Sequence, residues 1–460
     1  MYIITKVDLN QNIFRAYDIR GIAYEDLSEE VVINLGKALG SESLDRGISE
    51  FIIGRDGRLS SPQMFDWLSS GVLSTGCNVV DIGLVTSPMF YHSTYELSTS
   101  SGTVITGSHN PGEYNGFKII FDNLPTSSSE ILKLKDRILG KDFQSGTGSI
   151  EKKDIKQGYI QRIKDNISLK NNLNISIDCG NGAAGLVAKE VYEELGCNVK
   201  ELYGEVDGSF PNHHPDPSKL ENVKDLIRSV QDENSCVGLA FDGDADRLGV
   251  VSPEGNLIFP DTQLILFSKQ VIDENPNSKI VFDVKCSQLL TQEIERLNGE
   301  PIICKTGHTF IKEKIRETGA KLGGEMSGHI FFNDRWPGFD DGIYAGARML
   351  EIIDKNNKVN PFTNLPTLIS TPEINIPSSD DEKFDLVEAF KSKSNFSDAT
   401  IIDIDGIRVE FKNGWGLLRA SNTTPVLVLR FEAKTERDLK DIKALFYENL
   451  KNLKKDIPIF

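Results

Sequence analysis

The sequence predicts an α/β protein with three similar α/β domains, each with a mixed four-stranded sheet, and a smaller C-terminal α+β domain, around a central cleft. Two observations carry this expectation. Apolar runs and helical stretches recur three times with the same spacing, and in each repeat the third run leads into a polar loop. The first copy has an apolar run at residues 51–54, a helix-like stretch from Pro62, a second run from Gly76 and a third at 102–106. The second copy places these at 175–178, from about Ala184, from Gly196 and at 237–241; the third at 280–284, from Ser287, at 299–304 and at 320–323. Short apolar strands separated by helical stretches are the βαβ pattern of a parallel sheet. A fourth apolar stretch follows almost at once in each copy, at 116–121, 248–252 and 329–332. So short a connection does not accommodate a parallel crossover, so the fourth strand is expected to return antiparallel.

The Gly- and Ser-rich stretch 144–149 marks a boundary, after which Ile155, Tyr159, Ile160 and Ile163 form a helical stripe expected to bridge the first two units. Beyond a second boundary near 361–372, strands are expected around 401–404, 407–411 and 426–431, then an amphipathic helix from about Glu436. The resulting domains are 1–150, 151–254, 255–367 and 368–460. Ligands in α/β sheets collect beyond the carboxyl ends of strands. The loops at 106–111, 242–247 and 324–329 are therefore expected to converge.

Bulk properties narrow the classes. The 460 residues exceed what one core supports. A net charge of −17 argues against nucleic acid or an anionic membrane as a partner, so cations that meet an anionic substrate must be placed locally. The six cysteines are scattered without C-x-x-C spacing and read as reduced core residues of a cytoplasmic protein. Lys6 and Asp8 stand where a secretory signal would need an apolar stretch, and no run is long enough to span a membrane. No coiled-coil seam demands a dimer, so a monomer or weak homo-oligomer is expected.

Asp242-Gly-Asp244-Ala-Asp246-Arg247 is the most chemically specific segment. Three carboxylates at alternate positions repel unless a cation sits among them, and a hard divalent ion with oxygen ligands suits them. An EF-hand is excluded, because Arg247 and Pro253 stand where that loop needs Gly and Glu. Ser108, in Thr-Gly-Ser-His-Asn-Pro at a strand end, is accessible as a nucleophile or phosphoryl carrier. It lacks a Gly-x-Ser-x-Gly frame, and beside a metal loop phosphoryl transfer is the coherent chemistry. Arg20, Lys118, Arg247, Lys285 and Arg419 are cations at strand ends suited to an anionic ligand. Arg419, Ser421, Asn422, Thr423 and Thr424 concentrate donors before Pro425, which fits a phosphate monoester. In the third loop Glu325, Ser327 and His329 alternate, and on an extended segment they would point the same way, Glu and Ser toward sugar hydroxyls. His329 and His308 are candidates for proton exchange; His213-His214, between prolines, reads as turn structure.

In order along the chain, residues 16–21 (Ala-Tyr-Asp-Ile-Arg-Gly), 54–58, 106–111, 115–118, 242–247, 305–308, 324–329 and 419–425 resemble the α-D-phosphohexomutase family, in its bacterial phosphomannomutase/phosphoglucomutase branch. The resemblance implies a four-domain, heart-shaped enzyme that carries phosphate on Ser108, with Asp242, Asp244 and Asp246 holding Mg²⁺ together with an oxygen on Ser108. It implies transfer to a hexose 1-phosphate, a hexose 1,6-bisphosphate that serves as intermediate and activator, and return of the other phosphate to the serine. Glu325 and Ser327 would grip the sugar, and Arg419, Ser421, Asn422 and Thr423 the phosphate that is not reacting. Arg20, Lys118, His308 and His329 would move protons or stabilise charge, and Tyr17, Arg247 and Lys285 would contact substrate. Ala420 stands where some members carry a second basic residue. Ala245 and Met326 differ from the Gly and Gln usual in the phosphoglucosamine mutase branch, which is one alternative. A metal-dependent sugar-phosphate phosphatase using Asp242 and Asp244 is another, and a non-catalytic binding relative a third.

Overall fold

The apolar runs of the first repeat become neighbouring strands of one sheet. In the computed structural model, which describes residues 10–15, 18–355, 360–422 and 424–460, the first seven strands are β1 (Ile19–Ile22), β2 (Glu50–Arg55), β3 (Asn78–Leu84), β4 (Gly102–Ile105), β5 (Tyr114–Phe121), β6 (Leu124–Pro125) and β7 (Ile150–Lys152). Their order is β1-β5-β4-β2-β3-β7, with β6 on β5. β2 runs parallel to β3 and β4, and β5 returns antiparallel to β4. All four residues of β4 are buried, as in strands covered on both faces.

The second sheet repeats the plan with β8 (Asn174–Asp178), β9 (Asn198–Leu202), β10 (Val237–Phe241), β11 (Leu248–Val251) and β12 (Leu257–Ile258), in the order β12-β11-β10-β8-β9. β8 is parallel to β9 and β10, and β11 is antiparallel to β10, with Phe241 opposite Leu248. The four strands of the repeat thus lie side by side in each sheet; β1, β6 and β7 extend the first, and β12 the second. The helix expected from Ala184 is interrupted: a 3₁₀ turn, Ala183–Leu186, precedes helix Ala188–Glu194.

Contacts divide the chain into two units, Met1–Pro260 with Ser327–Asn360 and Asp261–Met326 with Pro361–Phe460. The second unit holds β13 (Lys279–Asp283), β14 (Glu300–Cys304) and β15 (Leu322–Gly324), with β13 parallel to both others. β16 (Ile330–Phe332) belongs to the first unit. The C-terminal strands β17 (Ile369–Ser370), β18 (Ile374–Pro377), β19 (Thr400–Ile402), β20 (Ile407–Phe411), β21 (Gly414–Ala420) and β22 (Val426–Ala433) form an antiparallel sheet. Helices Asp380–Lys393 and Glu436–Leu453 cover it through a core that includes Phe390, Phe431 and Phe446. β21 and the first of these helices are absent from the sequence expectation. Every residue of β21 is buried, so it shows no alternation, and its two glycines disguise it as a loop. Arg419 therefore lies at a strand end, as expected, and the donor loop before Pro425 begins after Ala420. All six cysteines are free thiols, and among the described residues no helix is long and apolar enough to cross a membrane.

The predicted stripe forms helix Lys156–Asn166, which buries Tyr159, Ile160 and Ile163. The Tyr159 hydroxyl donates to the Asp341 carboxylate at 2.9 and 3.0 Å, and the Tyr344 N–H donates to it at 2.9 Å from the start of helix Gly342–Lys355. Burial pushes the Asp341 carboxyl up to about 7, assisted by Asp340 and opposed by the two donors. The folded protein thus holds a proton that the unfolded chain, with a carboxyl near 3.8, has released. The corresponding stability is complete below the unfolded value and is lost as pH rises through about 7. Asp341→Asn keeps an acceptor for Tyr159 and removes the titration. Between pH 5 and 7, wild-type unfolding free energy should fall relative to the variant by roughly 1.4 kcal/mol per pH unit. Denaturant titrations at several pH values measure this, and parallel profiles for the two proteins would refute it.

Candidate active site

Two hairpin connections at strand carboxyl ends bring the serine loop to the acidic loop. The connection from β4 to β5 carries Ser108, and that from β10 to β11 carries Asp242 to Arg247. Ser108 and Ala245 adopt φ of 49° and 63°, a left-handed conformation costing a non-glycine residue on the order of 1 kcal/mol or more. Ser108 Oγ donates to Asp242 Oδ2 at 2.8 Å, and His109 Nδ1 lies 3.1 Å from the same hydroxyl. At the crossing, a Cβ on residue 243 would stand 2.3 Å from the Ser108 carbonyl oxygen, so only glycine lets the loops touch.

Asp242, Asp244 and Asp246 are fully buried, with one oxygen of each within 4.8 Å of the others. Burial pushes Asp242 well above the usual carboxylate range, and the charges of Asp246 and Asp244 add to this. Burial also works against ionised Asp246, but Lys118 and His329 outweigh it and hold that carboxyl low. Lys118 projects from β5, donates to Asp244 Oδ2 at 2.6 Å and also bonds Asp246. Burial disfavours its ammonium, yet Asp244 and Asp246 raise its pKa well above that of an ordinary lysine. Lys118 is therefore a fixed positive charge against Asp244 and Asp246.

Arg247 lies with its Nε 3.8 Å from Asp242 Oδ2 and pairs across an isolated antiparallel bridge with His329. His329 Nε2 is 3.3 Å from both Arg247 Nε and Asp246 Oδ1, and its Nδ1 is 2.9 Å from Ser327 Oγ. A neutral ring accepts from Arg247 and a protonated one donates to Asp246, so either state of Nε2 has a partner. Arg20, in β1, pairs with Asp18. Burial, Arg247 and Arg20 drive the His109 pKa well below the usual value, leaving a neutral ring whose Nδ1 can donate to Ser108 Oγ while that hydroxyl donates to Asp242.

The second unit gathers another polar network. Asp405 Oδ2 accepts from Arg419 Nε at 2.9 Å and from the Thr306 N–H at 3.0 Å. Asp283 accepts from the Thr306 hydroxyl at 3.0 Å and the Met326 N–H at 3.1 Å, and Lys285 Nζ lies 4.0 Å from it. Lys285 reaches Glu373 at 2.7 Å; these two acids raise its pKa against the cost of burial. Glu325 accepts the Gly307 N–H at 2.6 Å, next to His308, which opens helix His308–Thr318. Ser421 Oγ pairs with Thr424 Oγ1 at 2.8 Å, and Asn422 is half-buried. The Trp415 ring centroid is 3.9 Å from the guanidinium centre of Arg408 and 5.7 Å from that of Arg430. Arg408 donates to the carbonyls of Val284 and Cys286, and Arg430 to that of Lys285.

Among the sequence candidates, the first unit joins Ser108, Asp242, Asp244, Asp246, Lys118, Arg247, Ser327 and His329. Tyr17 and Thr423 lie outside the described residues. The alternation expected of Glu325, Ser327 and His329 needs an extended segment, but the chain turns there, with Gly328 at φ 100°. Sequence reasoning missed Ser87, whose hydroxyl donates to Asp244 Oδ2 at 2.5 Å, although Thr86-Ser-Pro announces its helix start. It also missed Asp340, grouped with Asp246 and His329, and Asp405 and Glu373, which hold cations. His213 bonds Asp178 and His214 bonds the His109 carbonyl, in an irregular segment with a bend at His213.

The donors fit a hard divalent cation: all are carboxylate oxygens, and buried Asp244 Oδ1 has no hydrogen-bond partner. A divalent cation at a hundred times its Kd should stabilise the protein by about 2.7 kcal/mol, read as a rise in thermal midpoint. Asp244→Asn should remove most of that rise; an undiminished rise in the variant would place the ion elsewhere.

Four family models match in chain order: phosphoglucomutase/phosphomannomutase alpha/beta/alpha domain I over residues 11–145, domain II over 157–255, domain III over 259–366 and the C-terminal domain over 373–449. A phosphomannomutase/phosphoglucomutase of Pseudomonas aeruginosa is 49% identical over 98% of each chain. A phosphoglucomutase of Neisseria gonorrhoeae is 47% identical over 95% of this chain and 96% of its own. The crystal structure of a phosphoglucomutase/phosphomannomutase family protein from Burkholderia thailandensis has a TM-score of 0.92 at 42% identity, covering 98% of this chain and all of that one. Four domains matched in sequence and near-half identity at full length leave one conclusion: this chain belongs to the phosphoglucomutase/phosphomannomutase family.

Proposed function

We propose that the protein is a phosphohexomutase that interconverts hexose 1-phosphate and hexose 6-phosphate, for mannose, glucose or both, through a phosphoserine at Ser108. The observation that carries the reading is the Ser108 hydroxyl, held by a strained strand-end turn 2.8 Å from Asp242 in a buried acidic cluster that Lys118 partly neutralises. In the forward half-reaction the bond from phosphorus to Ser108 Oγ breaks as a bond to a sugar hydroxyl oxygen forms. The hydroxyl proton passes to a base, and Ser108 regains a proton. The hexose 1,6-bisphosphate then presents its other phosphate to Ser108 Oγ, and the same steps run in reverse.

Asp242, Asp244 and Asp246 would hold Mg²⁺ with an oxygen on Ser108, and that ion supplies Lewis-acid neutralisation of the phosphoryl oxygens. Lys118, fixed as an ammonium, is suited to stabilise charge on the oxygen that Ser108 exposes. His329 is suited to hold or release the proton, because Nε2 has a partner in both states. Arg20 and Arg247 supply positive charge to the phosphoryl group. In the second unit Glu325 is assigned to sugar hydroxyls, as is Ser327 of the first, and His308 to proton exchange. Arg419, Ser421, Asn422 and Thr423, with Lys285, take the phosphate that is not reacting.

With glucose 1,6-bisphosphate and Mg²⁺ present, Ser108→Ala should lower turnover of mannose 1-phosphate and glucose 1-phosphate at least a thousandfold. Peptide mass spectrometry should find phosphate on Ser108 and none on Asp242. Near-wild-type turnover in the variant would sink the reading, and phosphate on Asp242 would favour a phosphatase. Asp405→Asn, which loosens Arg419, should raise KM about tenfold with kcat within threefold, the pattern of lost uniform binding. A fall in kcat alone would count against the phosphate assignment of Arg419.

A further inference from the structure

Arg58 is among the largest fully buried side chains, yet it touches none of the acidic cluster's carboxylates. Its guanidinium lies inside the serine loop. Nη2 donates to the carbonyls of Ser108 and Asn110, both at 2.7 Å, and Nη1 to those of Pro111 at 2.6 Å and Tyr114 at 2.9 Å. Nε faces Asp56 Oδ2 at 3.3 Å. The carbonyls occupy all four N–H groups of Nη1 and Nη2, and the fifth, on Nε, is buried facing Asp56 without a hydrogen bond, so none is turned toward a substrate phosphate. Four carbonyl oxygens aimed at one point would repel one another without a cation between them. A planar fork of fixed donors answers that geometry in a way that a lysine, with three donors at a point, does not.

The guanidinium is packed tightly against its neighbours. A Cβ at residue 107 would sit 2.5 Å from Arg58 Cζ and Nε, so Gly107 rests directly on it. The Phe210 ring centroid is 5.4 Å from the guanidinium, and a Cβ at residue 208 would be 2.6 Å from the Arg58 Cα, so the backbone of residue 58 is packed as well. Asp56 ties the ends together, accepting the Arg58 N–H at 3.0 Å, the Ser61 hydroxyl at 2.6 Å and the Gly107 N–H at 3.3 Å. We infer that Arg58 is a positioning residue for phosphoryl transfer: by clamping the carbonyls of residues 108, 110, 111 and 114 it keeps Ser108 Oγ aimed at the reacting phosphorus, whether or not the serine is phosphorylated. This rests on the mutase reading. A mutase accepts and returns the phosphoryl group at one oxygen in every cycle, so the loop must hold one shape through both half-reactions. An error of about 1 Å in such placement costs on the order of a hundredfold in rate.

The test uses the full-length protein, freed of phosphate on Ser108, and glucose 1,6-bisphosphate as phosphoryl donor. In that step a sugar oxygen–phosphorus bond breaks, a phosphorus–Oγ bond forms and the serine proton ends on the sugar oxygen. The readout is intact mass after rapid quench, together with steady-state kcat and KM. In folded Arg58→Lys, both the rate of Ser108 phosphorylation and kcat should fall at least tenfold, while KM for hexose 1-phosphate stays within threefold. A fall of less than tenfold in either rate, or a loss expressed in KM, overturns the inference. Should Arg58→Lys not fold, Gly107→Ala keeps the arginine and presses a methyl group on its guanidinium. The same loss in kcat is expected there, and wild-type kcat overturns the inference. Wild-type protein that never labels Ser108 would defeat the mutase reading itself; labelled wild-type with an equally fast Arg58→Lys defeats only the role of Arg58.

Discussion

Everything in the first unit's site depends on neutralising three carboxylates that are buried together. An ionised carboxylate loses several kcal/mol of hydration on burial, and Asp242, Asp244 and Asp246 stand within one ion's reach. Lys118 offsets part of that charge from β5, the strand that leaves the serine loop. Arg247 and His329 border the other side. The same element thus anchors the loop that carries Ser108 and supplies the cation facing the acids. A phosphoryl group entering this cluster brings further negative charge, which is why the donor set suits a divalent ion so well.

The fold supplies precision where charge balance alone would not. Ser108 and Asp242 sit on hairpin connections between strands that are buried and fully paired, so the loops begin and end at fixed points. Left-handed backbone at Ser108 and Ala245 turns each loop sharply, and Gly243 lets them meet. The second unit uses the same logic with cations as the anchored groups. Asp405 holds Arg419, Glu373 holds Lys285, and the carbonyls on either side of Lys285 are bonded by Arg408. Placing each cation against an acid fixes its direction and limits the rotamer freedom of its side chain.

Much of this is legible in the order of residues. Three spaced repeats predict parallel strands with an antiparallel return, and the first two sheets have that arrangement. Asp-x-Asp-x-Asp predicts a cation site because carboxylates crowded at alternate positions repel one another until a positive charge enters. The failures are also instructive. β21 escaped because a strand buried on both faces carries no alternation. The turn at 324–329 escaped because alternation in a sequence says nothing of whether the backbone is extended. Arg58 and Asp405 gave no local signal that they would hold other groups in place.

The sequence by itself determined the kind of chemistry: a serine at a strand end, three spaced acids, and basic and hydroxyl groups placed before turns, all in an order that resembles one family. Only the tertiary structure decided which charge answers which. Ser108 and Asp242 are 134 residues apart, and Lys118 is 126 from Asp244. No periodicity reports such a contact, because it arises where loops of two different sheets meet. The energy of a buried charge depends on what lies within a few ångströms of it, and that neighbourhood exists only once the chain has folded.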